Sequence, residues 1–137
     1  MLYIIILILK MKDDTMKKTK EKENGKWVPA QGYYRKILAR GKDLRSDNNL
    51  VQMIAVPSGS RVEPHYHKKT SEFIYVVTGE AQMYVNEEIH EMTPGRHIIL
   101  HPGDVHAVVN DHNEAFVVLV VKINMAENDS YWVKKSS

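Results

Sequence analysis

The sequence contains no cysteine. That one absence removes disulfides, thiolate zinc sites, iron–sulfur clusters and thiol nucleophiles together. Any metal held by this chain is held by nitrogen and oxygen ligands, which suit manganese, iron, cobalt, nickel or zinc. A large charge of one sign is also missing. The formal net charge is +2 over 137 residues, without the dense basic face of a nucleic-acid binder, so no nucleic-acid partner is expected. No apolar run reaches the roughly 20 residues of a membrane span. There is no long helix-period segment, no repeat of tens of residues and no separate helical DNA-reading module. Charged residues (26%) and hydrophobic residues (43%) sit near globular averages, enough for one modest core.

The ends differ from the middle. Met1 to Leu9 is one apolar run, broken by Lys10. It has no basic residues before it and no small-residue cleavage site after it, so stable membrane insertion is not expected and a cytoplasmic location is. A start at Met11 or Met16 is the leading explanation of the run. An export segment and an added or swapped edge strand stay open, since eight extended residues reach about 26 Å. Lys10 to Lys26 is lysine-rich with interspersed Asp13, Asp14, Glu21 and Glu23, the composition of a solvated arm. The chain therefore divides into a poorly ordered extension (residues 1–26), a folded domain (27–125) and a C-terminal tail (126–137). Trp27, Tyr33, Tyr34 and Ile37 are the expected anchors where burial begins.

From Leu50 onward the pattern is β. Short runs rich in valine, isoleucine and tyrosine alternate with turn residues. Strands are expected near Leu50–Val56, Glu63–His67, Phe73–Thr78, Ala81–Val85, Ile89–Met92, His97–Leu100, Val105–Asn110 and Ala115–Ile123. Between them lie Pro57-Ser58-Gly59, Thr78-Gly79, Asn86-Glu87, Thr93-Pro94-Gly95 and Pro102-Gly103. Eight short strands with tight turns indicate a sandwich or barrel.

His65 and His67 are two apart, which on a strand aims both at one side and turns Tyr66 away. Glu72 opens the next apolar strand, where alternation groups it with Ile74 and Val76 and puts Phe73, Tyr75 and Val77 on the other face as packing residues. If those strands are neighbours, Glu72 reaches an ion held by the histidine pair. His106, in Pro102-Gly103-Asp104-Val105-His106, is the natural fourth ligand. One of these histidines alone would most simply be a surface or satisfied core residue.

Here the chain resembles the cupin family. Gly59, His65, His67, Glu72 and Gly79 match the family's first motif, G-x5-H-x-H-x3-4-E-x6-G. Gly95, Gly103, His106 and Asn110 match the second, G-x5-P-x-G-x2-H-x3-N, with His101 in the proline position and Pro102 following. The resemblance covers roughly residues 50–123. It implies an all-β double-stranded β-helix, a jelly-roll barrel of two antiparallel sheets. It also implies one divalent transition metal (Mn, Fe, Ni, Co or Zn) near a mouth of the barrel, held by His65, His67, Glu72 and His106.

Three histidines and a carboxylate leave open positions on an octahedral ion, but close the shell of a tetrahedral zinc. Family members include dioxygenases, decarboxylases, isomerases, epimerases and non-catalytic binding domains, so the ligand set does not select a reaction. The resemblance implies a metal-dependent enzyme acting on a small oxygen-rich molecule such as a sugar derivative, keto acid or phenol. The alternative is a non-catalytic metal- and ligand-binding module. His101 is the one candidate for a catalytic proton carrier, against a solvent-facing role in a turn. Arg61, Lys68, Lys69 and Arg96 are candidates to receive an anionic group. Phe116 to Val121 is apolar on both faces, and a homodimer through that sheet is expected.

Overall fold

The computed structural model describes residues 24–134 together with Ile5. Apart from Ile5, the expectations about the apolar run and the arm up to Glu23 lie outside the described residues. Residues 24–134 contain no helix and eleven strands. They are β1 (Val28–Pro29), β2 (Tyr34–Arg40), β3 (Leu50–Val56), β4 (Arg61–Tyr66), β5 (Ser71–Thr78), β6 (Ala81–Val85), β7 (Glu88–Met92), β8 (His97–Leu100), β9 (His106–Val109), β10 (Phe116–Ile123) and β11 (Tyr131–Trp132). They form two antiparallel sheets, ordered β1-β2-β3-β10-β5-β8 and β11-β4-β9-β6-β7. This is the expected all-β double-stranded β-helix.

Period-two alternation builds the interior. Along β10, Phe116, Val118 and Val120 face inward and pack with Val56, Ile74, Val76, Met83, Met92 and Leu100 in one apolar cluster. Burying each large apolar side chain of this kind stabilises by about 1.5–3 kcal/mol. One register row crosses the six-stranded sheet as Leu50, Lys122, Glu72 and Leu100. Two polar side chains thus sit side by side at the end of an apolar layer.

The fold corrects several local expectations. Phe73 and Tyr75 face away from the ligand group as alternation predicts, but as packing residues they remain 36% and 39% exposed, Phe73 stacking on His97. Among the expected anchors Ile37 is buried and Tyr33 packs on the core, whereas Trp27 and Tyr34 are exposed. The Lys36 ammonium lies 5.9 Å from the Trp27 ring centroid, so the indole packs against a cation rather than within the apolar cluster. Residues 126–134 return to the domain, where β11 pairs with β4.

Two backbone details place the site. Val62 pairs with Val108 but His65 with His106, so β4 carries one extra residue around Pro64. Proline offers no ladder donor, and such a break is where a strand accommodates it. The bulge resets the alternation, so that Val62 and His65 both line the interior. At the β5–β6 junction Gly79 has φ +79°, and a Cβ there would lie 2.1 Å from the Ala115 carbonyl oxygen. Only glycine fits.

Candidate metal centre

Adjacent strands bring His65 on β4 and His106 on β9 opposite each other. His67 follows β4, and Glu72 approaches from β5 in the other sheet. One ligand atom from each of His65, His67 and His106 lies within 4.8 Å of the others, making the three a group that could hold a metal ion. Glu72 reaches two of them. Its Oε1 is 3.4 Å from His67 Nε2 and its Oε2 is 3.4 Å from His106 Nε2.

The histidine ring orientations follow from what each Nδ1 faces. His65 Nδ1 lies 2.9 Å from the Glu63 carbonyl, His106 Nδ1 2.9 Å from the Asp104 carbonyl, and His67 Nδ1 2.8 Å from the Asp129 carbonyl. A carbonyl only accepts, so each Nδ1 carries a hydrogen, which leaves Nε2 as the atom each ring can offer to a metal ion. The Nε2 atoms of His67 and His106 are buried and have no hydrogen-bond partner among the described residues. They face the carboxylate of Glu72 at 3.4 Å, longer than a good hydrogen bond. A metal ion between the rings and the carboxylate, or a proton on Nε2 in its absence, satisfies both sides. Nitrogen and carboxylate donors in this number suit a divalent transition ion, so the residues present fit the metal that the motifs imply.

Electrostatics agree. Burial, reinforced by the nearby His106 ring, lowers the His65 pKa to about 4, which keeps the imidazole neutral at ordinary pH. Burial pushes the Glu72 carboxyl up, yet His106, His67 and the Lys122 ammonium more than offset it and hold Glu72 well below the carboxylate range. Lys122 Nζ lies 3.3 Å from Glu72 Oε1.

A segment far along the chain props this cluster. The Asp129 carboxylate accepts hydrogen bonds from the backbone N–H of Lys68 (3.0 Å), Lys69 (3.0 Å) and Thr70 (2.9 Å) and from the Thr70 hydroxyl (2.8 Å). Burial raises its pKa, but these donors outweigh that and leave it at about 2. The same residue's carbonyl fixes His67, so Asp129 shapes both the loop after the histidine pair and one of its rings. Trp132 of β11 packs at a tilt of 37° against His65, centroids 4.7 Å apart, at the mouth of the site.

The four sequence-nominated ligands are therefore brought together. His101 is not among them. It is exposed in the β8–β9 turn, where its backbone N–H donates to Asp104, and it does not line the cavity. Nor do the four nominated cations line it. Arg61 pairs with Glu63, Lys68 lies over the Tyr131 ring, Lys69 borders an outer groove and Arg96 donates to the Glu91 carbonyl. Sequence reasoning missed Lys122, Gln52, Tyr33 and Asp129. Lys122 had a signal: it continues the inward series Phe116, Val118, Val120.

The cavity beside the cluster has a volume of about 80 Å³ and a largely aliphatic wall. Tyr33, Gln52, Lys122 and Ser130 are polar side chains lining it beyond the ligand group. Burial raises the Tyr33 pKa, with Glu72 adding to the effect and Arg35 opposing it, so its hydroxyl stays protonated.

A family profile described as "Cupin domain" matches residues 52–122. No curated protein matches the sequence. Among solved structures, a polyketide cyclase from Streptomyces resistomycificus aligns at 23% identity and TM-score 0.66, over 85% of this chain and 78% of its own. A protein described as a predicted oxalate decarboxylase from Thermotoga maritima aligns at 21% identity and TM-score 0.65, over 73% and 91%. A cupin sugar phosphate isomerase from Silicibacter pomeroyi aligns at 21% identity and TM-score 0.63, over 79% and 73%. At these identities the likeness is one of fold, and the three names describe three different reactions.

Proposed function

This chain belongs to the cupin family, and from that premise we propose that it is a mononuclear metal-dependent enzyme acting on a small oxygen-rich molecule. His65, His67, Glu72 and His106 hold one divalent transition ion. The observation that carries the reading is the set of imidazole Nε2 atoms gathered around a buried carboxylate, two of them lacking any hydrogen-bond partner among the described residues. When bound, an ion with positions left open supplies Lewis-acid polarisation of a ligand oxygen.

The chain's own residues do the rest. Glu72 stays ionised and hydrogen-bond-competent beside Lys122. The aliphatic wall formed by Ile74, Val118 and Val120 keeps the ligand's surroundings dry, which strengthens each polar contact inside. Tyr33 and Gln52 offer donors to ligand oxygens. A metal- and ligand-holding module without turnover is the second reading, and one observation favours it: His101, the candidate proton carrier outside the ligand group, does not line the cavity. A homodimer through the outer face of the six-stranded sheet accompanies either reading, supported by the exposed Phe73, Tyr75 and Ile99 on that face.

Metal analysis of protein purified without added metal tests the proposal. One iron, manganese, cobalt or nickel per chain with exchangeable bound water supports it. One zinc with a closed shell supports a structural site and counts against catalysis. His65→Ala combined with His106→Ala is expected to abolish metal content while the far-ultraviolet circular dichroism stays that of a β protein. Metal retained by that double variant refutes the ligand assignment.

A further inference from the structure

Lys122 is absent from the two sequence motifs, yet it occupies the same register row as Glu72 and lines the same cavity. Among the described residues that line the cavity it is the one lysine or arginine, and Glu72 is the one carboxylate. Their side chains are 19% and 7% exposed, so both charges are largely out of water. An ammonium has three N–H donors. Its described ion pair, at 3.3 Å from Glu72 Oε1, uses one of them.

A charge count then constrains the ligand. Histidines that hold an ion through Nε2 and donate Nδ1–H to a carbonyl are neutral. Lys122 and Glu72 cancel. A divalent ion in this cavity would leave two positive charges uncompensated in a poorly hydrated space, which is costly unless the ligand is negative. A cationic ligand would add to the excess, and a neutral one would leave it in place. The hydroxyl of Tyr33 and the amide of Gln52 add donors on the neighbouring wall. At about 80 Å³ the cavity is well under the roughly 300 Å³ at which pockets for drug-sized ligands begin.

We propose that this site selects a small carboxylate anion, seated between the ion-binding group and the Lys122 ammonium, with Lys122 as the residue that recognises its charge. The proposal rests on the metal-dependent reading above and narrows its ligand class. It replaces Arg61, Lys68, Lys69 and Arg96, none of which lines this cavity.

The test is calorimetric titration of protein loaded with one Ni(II) per chain, using acetate and pyruvate against their uncharged counterparts acetamide and pyruvamide. Wild type is expected to bind each anion at least tenfold more tightly than its amide. Lys122→Met, which keeps side-chain length, is expected to weaken anion binding at least tenfold while amide binding changes less than twofold. Lys122→Arg, which keeps the charge, should retain most of the anion affinity. Metal content measured on each variant serves as the control. Equal anion affinity in wild type and Lys122→Met, or amides binding as tightly as anions, overturns the carboxylate proposal while metal uptake upholds the ligand group. Failure of wild type to take up any metal overturns both.

Discussion

Replacing Asp129 by asparagine is expected to destabilise the metal-free protein by about 3 kcal/mol and to remove one limb of its acid unfolding. The magnitude follows from the four donors that converge on this carboxylate. Lys69 N, Thr70 N and Thr70 Oγ1 all point at one oxygen, and Lys68 N points at the other. An asparagine of the same shape can keep its single carbonyl on the side of the three donors. Its amide NH₂ then faces the Lys68 N–H, leaving that donor unmatched, at a penalty of about 1–3 kcal/mol. The lost charge is weighed independently. The carboxyl titrates at about 2 in the fold against about 3.9 in an unfolded chain, a gap worth about 2.6 kcal/mol. Because the folded pKa is the lower one, this stabilisation is fully present above about pH 4 and disappears as pH falls toward 2. Urea unfolding of metal-free protein from pH 7 down to pH 2 measures both effects. Wild type and variant should differ by about 3 kcal/mol at neutral pH, roughly 10 °C in Tm for a chain of this length, and converge in acid. The carbonyl of residue 129 also orients His67, so metal affinity should fall about 10–100-fold. A Tm within 2 °C of wild type at pH 7, or a difference that persists unchanged at pH 2, refutes the role assigned to this carboxylate.

Three further outcomes are expected. In metal-free protein His65 has a folded pKa of about 4, below the unfolded value of about 6.5, so stability declines by up to about 3 kcal/mol as pH falls from 6.5 to 4. His65→Ala should flatten that slope in pH-dependent urea unfolding; an unchanged slope would assign it to other groups. The Trp132 ring packs against His65, so Ni(II) or Co(II) uptake should quench its fluorescence, and Trp132→Phe should leave only the unquenched signal of Trp27. Equal quenching in that variant would place the ion elsewhere. Gly79→Ala drives a Cβ against the Ala115 carbonyl and should lower stability by about 2–4 kcal/mol. Gly59→Ala, where a Cβ meets nothing within 4 Å, should lower it by only about 1 kcal/mol, from its positive φ alone. Thermal melts that rank the two glycines the other way would contradict the packing at the β5–β6 junction.

The strands from β3 to β10 were legible because their runs are β-branched, alternate, and end in glycine or asparagine turns. β2 was not, since Tyr-Arg-Lys-Ile-Leu-Ala-Arg carries three basic residues and no valine, and it is a strand only because β3 offers it an edge. β11, two residues long, has too little sequence to leave a periodic mark. The candidate ligands could be read from spacing because two strands and their alternation suffice to converge them. The bulge at Pro64 could not, although it sets where His65 stands. Lys122 was hidden by its position at the end of an apolar run, where a lysine reads as a strand terminus reaching solvent. Asp129 left no local signal at all. Its bonds to residues 67–70 join positions about sixty apart, which only the folded chain reveals.

The three ring orientations are secured on unequal terms. His65 and His106 are each tied to a carbonyl two residues earlier in their own strand region. His67 depends on a carbonyl 62 residues away, on the segment that continues into the two-residue edge strand β11. Short edge segments open at a free energy far below that of the whole domain. Fraying of residues 129–132 would free one ring and uncover the mouth while the sheets stay intact. An ion in this site would accordingly come and go at the tempo of that strap, and hydrogen exchange at Ser130 to Val133 would set the clock for it.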